Sequence, residues 1–253
     1  MEPERAPAGA APAGAVKADP ALLEVHGLDV AYGKRQVIFD LSIRVHPGEV
    51  VALLGHNGAG KTTLVKAIFG LLQARAGSVH FAGEDLGRRS ASENVRAGLS
   101  FTPAEAAVFR DLTVDDNLAL GAFSVSDRHL KQQRAEKVYG LFPILGEKRR
   151  QAAGTMSGGQ QRMLSIGMAL MSGPRLMLLD EPSLGLAPAL SQQMLEEVKR
   201  LAATEGTAVL LIEQNVRAAL RVSQRVYFMR TGRILLEEPA EVAQARGKWW
   251  DLF

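Results

Sequence analysis

The run VVALLGHNGAGKTTLVKAIFG, residues 50–70, changes texture twice. Val50–Leu54 is apolar at every position, the pattern of a strand buried on both faces of a sheet. Gly55-His56-Asn57-Gly58-Ala59-Gly60-Lys61-Thr62-Thr63 follows, and it fits G-x-x-x-x-G-K-[ST]. Leu64, Ala67, Ile68 and Leu71 then fall at helical spacing, which predicts a helix from Lys61 to about Leu71. Glycines let successive N–H groups turn inward on a phosphate, and the helix N-terminus adds its positive dipole end. Lys61 can then reach the β- and γ-phosphates of a nucleotide, and the Thr62 hydroxyl can ligate Mg²⁺. A chance match is the bland alternative. The strand–loop–helix setting, which the motif requires, favours phosphate.

The rest of the chain alternates strands with helices, the mark of a mostly parallel α/β sheet. LLEVHGLDVAYG and QVIFDLSIRVHPGEV show the near-alternating pattern of half-buried strands ahead of the loop. From Ser92 to about Gly154 the texture is mainly helical, an insertion into the alternation. RLMLLD, AVLLIE and the hairpin-like VYFMRTGRILLEE then read as strands separated by helices.

Two further stretches carry chemistry. Leu176–Leu179 is apolar and ends on Asp180-Glu181. A phosphate-binding loop needs such an acid to organise Mg²⁺, which suits Asp180, and Glu181 can polarise an attacking water. Two acids at the surface end of a strand are the bland alternative. Thr155-Met156-Ser157-Gly158-Gly159-Gln160 places small residues before a helix, a second anion-binding N-terminus that is weak by itself.

The chain has 253 residues, 47% hydrophobic and 23% charged, enough for one large domain with a real core. A net charge of +3 without a basic stripe gives no case for nucleic acid. The absence of cysteine excludes disulfides and Cys-ligated zinc. No apolar run approaches the roughly 18–20 residues of a membrane-spanning helix. Residues 1–21 read as a disordered Ala/Pro/Gly tail, with Glu2 and Glu4 where a signal peptide is basic. The expectation is a cytoplasmic body whose membrane role runs through a partner.

The phosphate loop, then Met156-Ser157-Gly158-Gly159-Gln160, then an apolar strand ending Asp180-Glu181-Pro182, resembles the ATP-binding cassette (ABC) ATPase family over residues 22–240. The resemblance implies an α/β P-loop NTPase fold of ABC type. It has a central mostly parallel sheet, an N-terminal antiparallel β region and a helical subdomain at about 92–154, within a cassette spanning 22–253. It implies ATP and Mg²⁺ as ligands and two cassettes packed head to tail. Gly55–Thr63 would bind ATP in one subunit, with Thr62 and Asp180 on Mg²⁺. Ser157, Gly158, Gly159 and Gln160 would contact the ATP of the other. Tyr32 falls where the family stacks an aromatic on adenine, with an aromatic packed at a strand end as the alternative. The implied partners are a second ATPase, identical or paralogous, two transmembrane permeases met by the helical subdomain at the cytoplasmic membrane face, and indirectly a solute-binding protein.

Three positions depart from the family's common pattern. Ala104 stands where most members carry a Mg²⁺-sensing Gln, which leaves Glu105 as a substitute or the role lost. Ala187 stands where many have an Asp. Gln214 aligns with a His that contacts the γ-phosphate and, with Glu181, is a candidate catalytic residue; an amide donates there without becoming charged. Glu181–Pro188 and Glu213-Gln214-Asn215, with Arg110–Leu118, resemble one of the two ATPases of branched-chain amino acid importers. Urea or amide importers are close alternatives, and a degenerate regulatory subunit is a third. Trp249, Trp250, Leu252 and Phe253 form an apolar end expected to pack back on the domain, with partner contact as the alternative.

Overall fold

The computed structural model describes residues 20–105, 107–246 and 249. Two sheets organise it. β1 (Leu23–Tyr32) pairs antiparallel with β2 (Arg35–Val45) on one side and β4 (Ala74–Phe81) on the other, and β5 (Glu84–Asp85) extends β4. The larger sheet contains β3 (Val50–Leu54), β6 (Leu99–Thr102), β7 (Leu176–Asp180), β8 (Ala208–Ile212), β9 (Arg225–Arg230) and β10 (Arg233–Pro239), in the order β10-β9-β3-β8-β7-β6. Its pairs are parallel except β10 on β9.

Every residue of β3, β7 and β8 is buried, because both faces of the sheet are covered. Val50, Ala52 and Leu54 enter one core with Met177, Leu179, Val209 and Leu211. Val51 and Leu53 enter the other with Leu176, Leu178, Leu210 and the antiparallel sheet. The two-residue period of a strand thus feeds two cores, which is why these strands read as unbroken apolar runs.

The helices are α1 (Lys61–Phe69), α2 (Ala91–Ala97), α3 (Val114–Gly121), α4 (Arg128–Leu141), α5 (Pro143–Glu147), α6 (Gly158–Met171), α7 (Pro188–Glu205), α8 (Val216–Val222) and α9 (Ala240–Arg246). α1 stops two residues short of the expected Leu71, because Gly70 takes φ 88° and caps the last carbonyls. Ser90, Thr113 and Ser157 each start a helix with a reciprocal capping box.

The 92–154 region contains β6, which belongs to the main sheet, before α3–α5 pack on α6. α3 and α6 approach so closely that a Cβ on Gly121 would lie 2.3 Å from the Met168 carbonyl oxygen. Trp249 is buried and donates its indole N–H to the Ala243 carbonyl at 2.6 Å. Trp250, Leu252, Phe253 and nearly all of the 1–21 tail lie outside the described residues. Among the described residues no helix is long and apolar enough to cross a membrane.

Candidate nucleotide site

The carboxyl ends of β3, β7 and β8 lie side by side, in register Leu53↔Ile212 and Asp180↔Ile212. Ligands of open α/β sheets bind at such ends. β3 runs directly into the loop Gly55–Gly60. Gly60 takes φ 108° and Gly58 φ 83°, the left-handed region that favours glycine. Gly55 is required for a different reason: a Cβ there would lie 2.3 Å from the Met229 carbonyl oxygen. Ala59 and Thr63 are buried, while Asn57 is exposed. The loop backbone is thereby folded tightly against β9 and presents the start of α1.

Lys61, the first residue of α1, donates its ammonium to the carbonyls of Gly55 at 2.6 Å and His56 at 3.1 Å. Burial pushes its pKa down, and the carboxylates of Glu181 and Asp180 oppose that shift. The Thr62 hydroxyl donates to Asp180 Oδ2 at 2.8 Å, joining α1 to the end of β7. Asp180 is 1% exposed, and its other oxygen is buried without a hydrogen-bond partner. Burial raises its pKa above the usual carboxylate range, and Glu181 adds to that effect.

A buried carboxylate oxygen with nothing to accept from, beside a hydroxyl, fits a hard oxygen-seeking cation such as Mg²⁺. Among the described residues no group of three or more His, Cys, Asp or Glu could hold a metal ion. Mg²⁺ is commonly held by one or two carboxylates together with substrate phosphates, and Thr62 and Asp180 could be the protein's share of such a site.

Glu181 adopts φ 49°, a left-handed conformation rare for a side chain of its size and a local cost of about 1–3 kcal/mol. Its N–H donates to the Ile212 carbonyl at 2.9 Å. Gln214 donates its side-chain amide to Glu181 Oε1 at 2.7 Å. The end of β8 therefore orients the carboxylate at the end of β7. Neighbouring Glu213 is buried and accepts from the Ser183 N–H at 3.0 Å, pinning the segment that follows Glu181. Asn215 caps α8 through the Ala218 N–H at 3.1 Å. The three polar residues at the end of β8 thus have three separate structural tasks. Sequence patterns gave Gln214 a role but named Glu213 only as part of the Glu213-Gln214-Asn215 marker, because its partner Ser183 is thirty positions away.

Ser157, Gly158, Gly159 and Gln160 form the first turn of α6, closed by Ser157 Oγ and the Gln160 N–H at 3.3 Å. Gly158 faces open space, and Ser157 and Gly158 are exposed. Tyr32, at the end of β1, is 47% exposed, which leaves its ring available for stacking. Ala104 and Glu105 follow β6; Glu105 is exposed.

The ABC transporter family model matches residues 38–184. The chain is 45% identical over 217 residues to the high-affinity branched-chain amino acid transport ATP-binding protein BraG of Pseudomonas aeruginosa, covering 86% of this chain and 92% of that one. It is 34% identical to the lipopolysaccharide export system ATP-binding protein LptB of Escherichia coli K12, covering 88% and 93%. A solved ATP-binding cassette of an ABC transporter in its ADP conformation superposes with a TM-score of 0.81 at 27% identity, covering 92% of this chain and 98% of that one. Antiparallel sheet, mostly parallel sheet and flanking helices recur in both. The chain belongs to the ABC transporter family, as an ATP-hydrolysing subunit of such a transporter.

Proposed function

We propose that this ATPase powers uptake of branched-chain or other hydrophobic amino acids. The supporting observation is its 45% identity to BraG across nearly the whole cassette, against 34% to the export ATPase LptB. In this reading the ATPase lies against the cytoplasmic face of the membrane, bound to two permeases, with a solute-binding protein acting on the other side. Its second ATPase is a copy of itself or a paralogue.

The chemistry follows from the site. Gly55–Thr63 wraps the triphosphate with N–H groups, and Lys61 leaves its loop carbonyls for the β- and γ-phosphate oxygens. A bound Mg²⁺ would supply neutralisation of the charge that develops on those oxygens. Thr62 and Asp180 would hold it from the protein side. Glu181, oriented by Gln214, takes a proton from the attacking water. Ser157–Gln160 of the opposite subunit closes over the γ-phosphate, so hydrolysis requires two cassettes.

Radiolabelled leucine uptake in a strain deleted for this protein tests the solute. Uptake should fall to background and return with the wild-type chain but not with Lys61→Ala. Unchanged leucine uptake with lost urea or amide uptake would move the assignment to that alternative.

A further inference from the structure

Arg162 is a charged side chain only 4% exposed, on the second turn of α6. One guanidinium nitrogen donates to the Pro103 carbonyl at 2.8 Å, and the other donates to the Ala104 carbonyl. Burial pushes its pKa down, while Asp180, Glu213 and Glu181 oppose that shift and keep the cation favourable. Pro103 and Ala104 continue β6, whose Thr102 pairs beside Leu179. They therefore flank the strand end that carries Asp180 and Glu181.

Gln161, the preceding residue, donates to the carbonyls of Ala153 and Met156, both at 3.1 Å. It fixes the turn that leads into Ser157. A Cβ on Gly159 would lie 2.8 Å from Leu186 Cδ2, so the same turn also abuts the segment after Glu181. The first turns of α6 are thus tied on two sides, and the Arg162 fork is the tie that runs to the segment flanking the subunit's own carboxylates. A planar guanidinium holding two consecutive carbonyls fixes orientation as well as distance.

Resting on the head-to-tail reading above, we propose that Arg162 is a positioning residue. It locks the Ser157–Gln160 turn, which serves the ATP of the opposite subunit, to the Pro103-Ala104 segment beside this subunit's own Asp180-Glu181. Its contacts are to backbone carbonyls, so they do not depend on which side chain occupies position 104. The strap accounts for how a chain with Ala104 keeps that segment in register with the site. It gives each subunit a rigid link between the half-site it owns and the half-site it lends.

The test uses the full-length chain in a Glu181→Gln background, with ATP-driven dimerisation followed by sedimentation velocity. Affinity for a fluorescent ATP analogue is measured alongside. Arg162→Met should weaken dimerisation roughly tenfold or more, the loss of one charge-assisted hydrogen bond or more, while analogue affinity stays within about twofold. Arg162→Lys, which keeps the charge but not the fork, should give a smaller loss and guards against a Met variant that fails to fold. If Glu181→Gln dimerises with ATP and folded Arg162→Lys and Arg162→Met dimerise equally tightly, this inference alone is overturned. If the Glu181→Gln chain never dimerises, the head-to-tail reading fails and takes this inference with it.

Discussion

Lys61 and Glu213 show that two buried ionisable residues can have different duties. Lys61 exchanges contacts: its donors rest on two loop carbonyls and can be reassigned to phosphate oxygens. Lys61→Ala should cut nucleotide affinity roughly tenfold or more and abolish turnover while thermal unfolding stays cooperative. Titration with a fluorescent nucleotide checks it, and unchanged affinity would remove Lys61 from the site. Glu213 instead holds backbone. Its folded-state pKa is raised by burial, which outweighs its hydrogen bonds from the Ser183, Asn215 and Gln214 N–H groups. An acid with a raised folded pKa binds more protons folded than unfolded. Its contribution to stability is therefore largest at low pH and declines as pH rises from the unfolded pKa through the folded one. Glu213→Gln keeps an acceptor for Ser183 and cannot ionise. Its stability relative to wild type should rise across that interval, read from urea midpoints at several pH values. A difference flat in pH would contradict a buried, ionising Glu213. The phosphate loop and the Asp180-Glu181 pair were legible in sequence because their chemistry is local. Glu213 and Arg162 were not, because each is explained by backbone atoms far along the chain.

Among the elements, strands were readable where both faces are buried, since β3, β7 and β8 are apolar throughout. The helical stretch after Thr102 was readable as texture but not as packing. Its entry loop is organised by Asn117, fully buried on α3. Asn117 accepts from the Phe109 N–H at 2.8 Å and donates to the carbonyls of Phe109, Leu112 and Thr113 at 3.0, 3.3 and 2.8 Å. That one amide adds to the backbone bonds that residues 109–113 make with Leu112, Asn117, Ala153 and Gly154 N–H groups. Asn117→Ala should destabilise the protein by about 1–3 kcal/mol, because the Phe109 N–H loses its acceptor while the Phe109, Leu112 and Thr113 carbonyls keep the N–H groups of Leu112, Ala153 and Asn117. Chemical denaturation gives the number, and a loss below about 0.5 kcal/mol, the ordinary range for surface changes, would show that water replaces the amide. In sequence Asn117 was one residue of Arg110–Leu118, and nothing in its spacing distinguishes a loop-holding amide from a surface one.

For the whole molecule, the proposed division of the ATP site between two cassettes governs the behaviour. The phosphate loop, Asp180 and Glu181 gather at one end of the sheet, while Ser157–Gln160 starts α6 with an exposed capped turn. Under the head-to-tail pairing proposed above, the ATPase works as a pair, and its turnover should rise steeply with protein concentration. The pairing is what the family resemblance implies; the periodicity of a single chain carries no information about a surface that meets another copy. The most direct measurement is light scattering of the Glu181→Gln chain with and without ATP and Mg²⁺. The account predicts a stable dimer only with nucleotide, since the closed pair forms but is not hydrolysed open. A Glu181→Gln chain that remains monomeric with ATP while hydrolysing it at the wild-type rate would contradict both the pairing and the role of Glu181.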